Sequence, residues 1–156
     1  VIYDPKRRAL MLAHLGRHST VAQLMSQAVQ YFVERGSQEK DLQIWMSPSI
    51  TQKNYRMDYF DHTNDTNWHN FCRQTADGIY LDMQGFNRSL AIQAGVTAEN
   101  IFISPIDTAD NPNYFSHSSG DIVGRFVVVA CMRYLPSTVV CNKKQLSILR
   151  LSCFCD

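Results

Sequence analysis

The chain has 156 residues, 45% of them hydrophobic and 19% charged, with a formal net charge of +1 at pH 7. That length holds one domain with a real core. The near-neutral balance excludes bulk electrostatic capture of nucleic acid or of an acidic membrane, and no apolar run approaches the roughly 18 residues of a membrane span.

The opening VIYDPKRRALMLAH does not begin with Met and reads as the continuation of a longer protein. "YDP" followed by basic residues predicts a turn or hairpin entering a strand. Residues 1–20 lack the basic, apolar and small-residue layout of a signal peptide. The odd count of five cysteines (Cys72, Cys131, Cys141, Cys153 and Cys155) then points to reduced thiols and a cytoplasmic protein.

Residues 8–15 read as a buried strand. Residues 20–36 read as a helix, because Val21, Leu24, Met25, Ala28, Val29, Phe32 and Val33 keep an i, i+3, i+4, i+7 spacing. Thr20 and Gln23 have the spacing of a capping box, and Arg35 and Gly36 suit the last turn and its left-handed cap. "LQIWM", 42–46, is a second strand, ended by Ser47-Pro48-Ser49. Alternation of Tyr55, Met57 and Tyr59 predicts an extended piece over 54–60, and 68–75 a short helix. The short apolar run 79–81 leads to an amphipathic helix over 83–95, with Phe86, Leu90 and Ala94 on one face and a glycine stop. "NIFIS", 100–104, is a strand, and 105–121 a long polar loop of the kind that often carries function. By β-branched content 124–132 is the clearest strand.

This order predicts an α/β fold, a layered mixed β-sheet with flanking helices in a single domain over 1–132. Residues 133–156 form a tail of uncertain structure. It fits an edge strand plus a short helix, and equally a non-native extension. Cys153 and Cys155 have the look of a metal-binding pair, but supply only two ligands.

Chemistry concentrates in two places. "HLGRHST" puts His14, Gly16, Arg17 and His18 between a strand end and a helix start. Ligands gather where strands end and helix N-termini point. Arg17 offers a guanidinium fork for phosphate or carboxylate, His14 a metal-binding ring nitrogen, and Gly16 a backbone angle that other residues resist. The same residues also make a capped turn with solvated side chains. In "NPNYFSHSSGDIVGR", Ser116 and His117 lie in the long loop and Arg125 opens the next strand; Asp107 and Thr108 stand at the loop's other end. A Ser beside a His in sequence is no nucleophile–base pair until geometry makes it one, and an Asx/Ser-rich turn network explains the stretch equally well. "SPSI", 47–50, and Tyr55 form a weaker third feature.

Four stretches in this order resemble the laccase-domain family, the multicopper polyphenol oxidoreductases. "HLGRHSTVAQLM" is similar to the family's His-Ala-Gly-Trp-Arg-Gly-Thr-Val segment. "IWMSPSITQKNYRMD" resembles its Gly-Pro-Ala/Ser-Ile stretch. "YLDMQGFNRSLAIQAGVTAENIFISPIDT" resembles its Asp-Leu…Asn…Leu…Gly-Val…Asn-Ile segment, and "NYFSHSSGDIVGRFVVVACM" its Phe-Phe-Ser-His/Tyr-Arg…Gly-Arg ending. The resemblance implies a cytoplasmic α/β domain with one transition-metal site, zinc with copper as the alternative. Its ligands would be two His and one Cys, of which only His14 falls in this chain. The implied chemistry is phosphorolysis of purine nucleosides, with adenosine deamination beside it. On that reading His14, Ser116 and His117 are catalytic candidates, His14 is the metal ligand, and Arg17 and Arg125 contact phosphate. The partners are a purine nucleoside and phosphate, with neither nucleic acid nor membrane. Copper-dependent phenol oxidation and a non-catalytic binding module are the rivals. A true laccase needs several coppers, which five scattered histidines do not supply. The chain departs from the family pattern at Arg17-His18-Ser19, at Asp107 in place of Cys, and at Ser118 in place of Arg.

Overall fold

A strand pairs only where a neighbour supplies its hydrogen bonds, and that rule decides which extended runs of this chain become strands. The computed structural model describes residues 1–117 and 120–132. The tail beyond 132, with Cys141, Cys153 and Cys155, lies outside the described residues, as does Ser118.

β1 (Ile2–Asp4) and β2 (Ala9–Met11) form the expected hairpin. Its turn is clipped by Asp4, whose Oδ1 accepts from the backbone N–H of Lys6 at 2.8 Å and of Arg7 at 3.0 Å. The predicted strand over 8–15 is therefore short, because 12–16 leave the ladder. β3 (Gln43–Met46) lies antiparallel to β1 and parallel to β7 (Ile101–Ile103), giving a mixed sheet in the order β2-β1-β3-β7.

The apolar periodicity over 20–36 belongs to two helices, α1 (Arg17–Val21) and α2 (Leu24–Glu34). Between them Gln23 adopts the left-handed conformation, φ 56° and ψ 38°. Thr20 caps nothing. It is fully buried, and its hydroxyl accepts from Asn87 Nδ2 at 2.9 Å, so the capping-box expectation fails because a tertiary contact takes the side chain. At the other end Gly36, φ +87°, stops α2 as expected. A left-handed non-glycine residue costs about 1 kcal/mol. Gln23→Gly is accordingly expected to raise the urea unfolding midpoint slightly, while Gln23→Ala leaves it unchanged or lower.

Residues 68–75 are not a helix. A single 3₁₀ turn at Thr66–Trp68 leads into β5 (Cys72–Thr75), which pairs with β6 (Gly78–Leu81) across the two residues Ala76 and Asp77. The turn is held by Asp77, which accepts from the hydroxyls of Thr75 and, at 2.6 Å, of Tyr80. β4 (Arg56–Met57) completes a small antiparallel sheet in the order β4-β6-β5, and is all that remains of the extended piece expected over 54–60.

α3 (Met83–Gln93) matches its prediction and ends before Gly95, φ +95°. Asp82 caps it, accepting from the Gly85 N–H at 2.8 Å. α2 and α3 pack on each other through Met25, Ala28, Val29 and Phe32 on one side and Phe86, Leu90 and Ala91 on the other, all buried. An aromatic stack extends this core: Trp68 lies flat on Phe86 with ring centroids 3.9 Å apart, and Phe60 and Phe71 meet the pair edge-on.

The clearest predicted strand, 124–132, forms no strand. Its residues alternate, with Val127 63% and Val129 69% exposed while Phe126 and Val128 are half-buried, yet among the described residues no strand pairs with it. β-branched side chains favour a pleated neighbour, and without one their propensity makes no ladder. Among the described residues no helix is long and apolar enough to cross a membrane.

Candidate active site

Three breaks in regular structure meet at one end of the larger sheet: the run 12–16 after β2, the run 47–50 after β3, and the start of α3. With residues 115–117 and 124–128 laid across them, they enclose a cavity of about 790 Å³, within the size range of small-molecule sites. His14, Gly16 and Arg17 line it from one side, and Ser116, His117 and Arg125 from the other. Two stretches about a hundred residues apart in sequence thus share one space. The Ser-Pro-Ser-Ile stretch, Tyr55 and Thr108 line it as well.

The turn carrying His14 is tied by Ser19, whose hydroxyl donates to the carbonyls of His14 at 2.7 Å and Gly16 at 3.0 Å. Gly16 has an ordinary extended backbone, φ −76° and ψ 177°, so no unusual angle requires glycine. The requirement is space: a Cβ there would sit 2.9 Å from His14 Nε2. Arg17 is half-buried. It extends one guanidinium nitrogen to 3.9 Å from Met57 Sδ and another to 3.5 Å from His18 Nε2. Arg125 Nη1 donates to the carbonyls of Gly124, at 2.6 Å, and Ile122. Among the described residues neither arginine pairs with a carboxylate, so both keep charge available to an anion. The helix start adds little, since α1 has five residues and a correspondingly small dipole.

His14 and His117 are exposed at the cavity, and Ser116 is buried. The Ser116 N–H donates to Asp121 Oδ2 at 2.7 Å, and the Asp121 N–H returns a bond to Ser116 O at 3.1 Å. This is the Asx-type turn network; no hydrogen bond joins the Ser116 and His117 side chains. Among the described residues no three His, Cys, Asp or Glu side chains stand close enough to hold a metal ion, and His14 offers one imidazole alone.

Asp107 bridges to Ser49 and precedes Thr108, both of which line the cavity. Its Oδ2 accepts from the Thr51 hydroxyl, from the Thr51 N–H at 3.2 Å and from Asn54 Nδ2 at 3.0 Å, while Oδ1 accepts from the Ala109 N–H at 2.8 Å. Burial pushes this carboxyl up, but those donors outweigh it and hold it below the usual aspartate value. Asp4 behaves likewise: burial raises it, while Ser37 and the turn N–H groups lower it further. A folded pKa below the ordinary value of about 3.9 means that the ionised form stabilises the fold above about pH 4. That contribution is lost as pH falls through the lower folded value. Asp107→Asn is therefore expected to destabilise the protein at pH 7 by about 1–2 kcal/mol. In urea unfolding at a series of pH values, the gap to wild type should close below pH 4.

Sequence reasoning missed Met25, Met83, Gln84 and Asn87, which also line the cavity. Asn87 left a readable sign. It stands with Met83, Leu90 and Ala94 at helical spacing, a lone amide on an apolar stripe. The same asparagine opens an Asn-x-Ser glycosylation pattern, but at 2% exposure it is no acceptor in the folded protein.

The family described as multi-copper polyphenol oxidoreductase laccase matches residues 1–133, and the chain belongs to it. A protein of Bacillus subtilis named purine nucleoside phosphorylase YlmD is 30% identical over 124 residues, covering 74% of this chain and 44% of its own length. The crystal structure of the hypothetical protein YfiH of Bacillus licheniformis superposes with a TM-score of 0.68 at 26% identity, over 76% of this chain and 47% of that one. YlmD from Geobacillus stearothermophilus, at 24% identity and a TM-score of 0.58, shares the fold over 67% of this chain and 42% of its own. The chain thus spans somewhat less than half the length of these relatives.

Proposed function

We propose that this chain carries a purine nucleoside phosphorylase site, in which phosphate cleaves the N-glycosidic bond. The reading is supported by the single cavity that His14, Arg17, Ser116, His117 and Arg125 all line, together with the name of the Bacillus subtilis relative. In phosphorolysis a phosphate oxygen forms a bond to ribose C1′, the bond from C1′ to base N9 breaks, and the leaving base takes a proton. Two demands follow. Phosphate must be held against C1′, and charge on the departing base must be relieved. Arg17 and Arg125, unpaired with any carboxylate among the described residues, meet the first. His14 and His117 are the imidazoles placed to meet the second, and Ser116 lines the nucleoside pocket.

His14 is the one ligand this chain would give to a zinc or copper centre of the kind the resemblance implies. The described residues make no metal site by themselves. The steps above route nothing through one. Among the described residues Cys72 and Cys131 form no disulfide.

The test is incubation of the full chain with inosine or adenosine, with and without phosphate, following free base by chromatography. Phosphate-dependent release of base is expected. No release from either nucleoside would overturn the reading.

A further inference from the structure

A buried amide normally satisfies both its oxygen and its nitrogen, so one that satisfies only half of itself asks for an explanation. Asn87 on α3 is such a group. Its Nδ2 donates to Thr20 Oγ1 and to the carbonyl of Met83, both at 2.9 Å. The Met83 carbonyl only accepts, so the amide cannot be turned over without setting oxygen against oxygen. Oδ1 is thereby left over, and no protein group hydrogen-bonds it. It is the one buried side-chain oxygen or nitrogen among the described residues in that condition.

The residue that carries this oxygen lines the cavity shared by His14, Arg17 and Arg125. Met25 and Met83, 1% and 8% exposed, line the same cavity. Unbranched thioether side chains repack at little cost, so a cavity wall that contains them is of the kind that yields to an entering ring. An uncharged acceptor in a cavity also lined by the guanidinium groups of Arg17 and Arg125 suits a ligand that carries both an anionic group and an N–H donor.

Resting on the phosphorylase reading above, we propose that Asn87 is a specificity-determining residue. Its Oδ1 accepts a hydrogen bond from an N–H on the six-membered ring edge of the purine base, the 6-amino group in adenosine. Leaving a buried acceptor unpaired is costly, so a base without that donor is penalised.

The test compares adenosine with purine riboside, which lacks any base N–H, by equilibrium binding to the full chain without phosphate, so that neither nucleoside is consumed. Wild type is expected to bind adenosine about tenfold more tightly, and Asn87→Ala to bind the two nearly equally. Thr20→Val, which removes only the hydroxyl partner, should lower the unfolding midpoint while keeping the adenosine preference. Equal binding of both nucleosides by wild type overturns the proposal without touching the phosphorylase reading, and so does an unchanged preference in a folded Asn87→Ala. The wild-type comparison decides the matter even where Asn87→Ala does not fold. If wild type binds neither nucleoside, the phosphorylase reading falls and this proposal with it.

Discussion

Trp68→Ala is expected to remove about 3–5 kcal/mol of stability, a larger loss than substitution of Asp107 or Gln23 brings. Trp68 is 2% exposed, stacked face to face on Phe86 with an interplanar angle of 7° and met edge-on by Phe60 at 4.9 Å. Phe86 in turn holds Phe71 edge-on at 5.4 Å. These rings join three separate pieces: the loop before β5, the 3₁₀ turn, and α3. Truncating the central ring leaves a hole that α3 cannot close without leaving α2. Since a domain's whole stability is only about 5–15 kcal/mol, such a loss takes up a large part of it. Urea unfolding followed by Trp45 fluorescence and far-ultraviolet circular dichroism measures it. A loss under about 1 kcal/mol, the scale of an ordinary point substitution, would mean that the stack contributes little to the fold.

Arg17→Ala is expected to lower kcat/KM for phosphate in nucleoside phosphorolysis by about a hundredfold, with the KM for nucleoside little changed. With only five residues in α1, peptide dipoles contribute little to holding an anion, and the guanidinium must do most of it. Arg17 is half-buried against Met57 and makes no ion pair among the described residues, so its charge is neither neutralised nor fully screened by water. Arg17→Lys should recover only part of the loss, because a point charge lacks the two-pronged geometry. A phosphate KM unaltered by Arg17→Ala would remove this residue from the site.

The elements legible in the sequence are those whose signals are local. β3, β7 and α3 lie within the predicted ranges, as does the Asp4 turn, because alternation, capping and glycine stops act over a few residues. Errors arose where a distant partner decides. The apolar spacing runs unbroken from Val21 to Val33 across the break at Gln23, and nothing local says that Thr20 is claimed by Asn87. The β5–β6 hairpin did carry a sign, Asp77-Gly78, but in a run too polar to suggest a strand. Residues 124–132 carry a strand's composition with no partner strand among the described residues. The candidate site divides in the same way. His14 and Arg17 stood out in one stretch and Ser116, His117 and Arg125 in another, but the cavity that the two stretches share is a product of the fold. Gly16 stood out for the wrong cause: the glycine spares the His14 ring a collision and relieves no backbone angle.

The left-handed residue at Gln23 also divides the labour of the molecule. α2 is anchored by four buried side chains, whereas α1 buries Thr20 alone. Warming should therefore loosen the short segment first, and Arg17 travels with it while the sheet and the longer helix keep their shape. The wall that grips the anion is, on this account, an adjustable jaw set on a rigid frame, tied to α3 through the Thr20–Asn87 hydrogen bond.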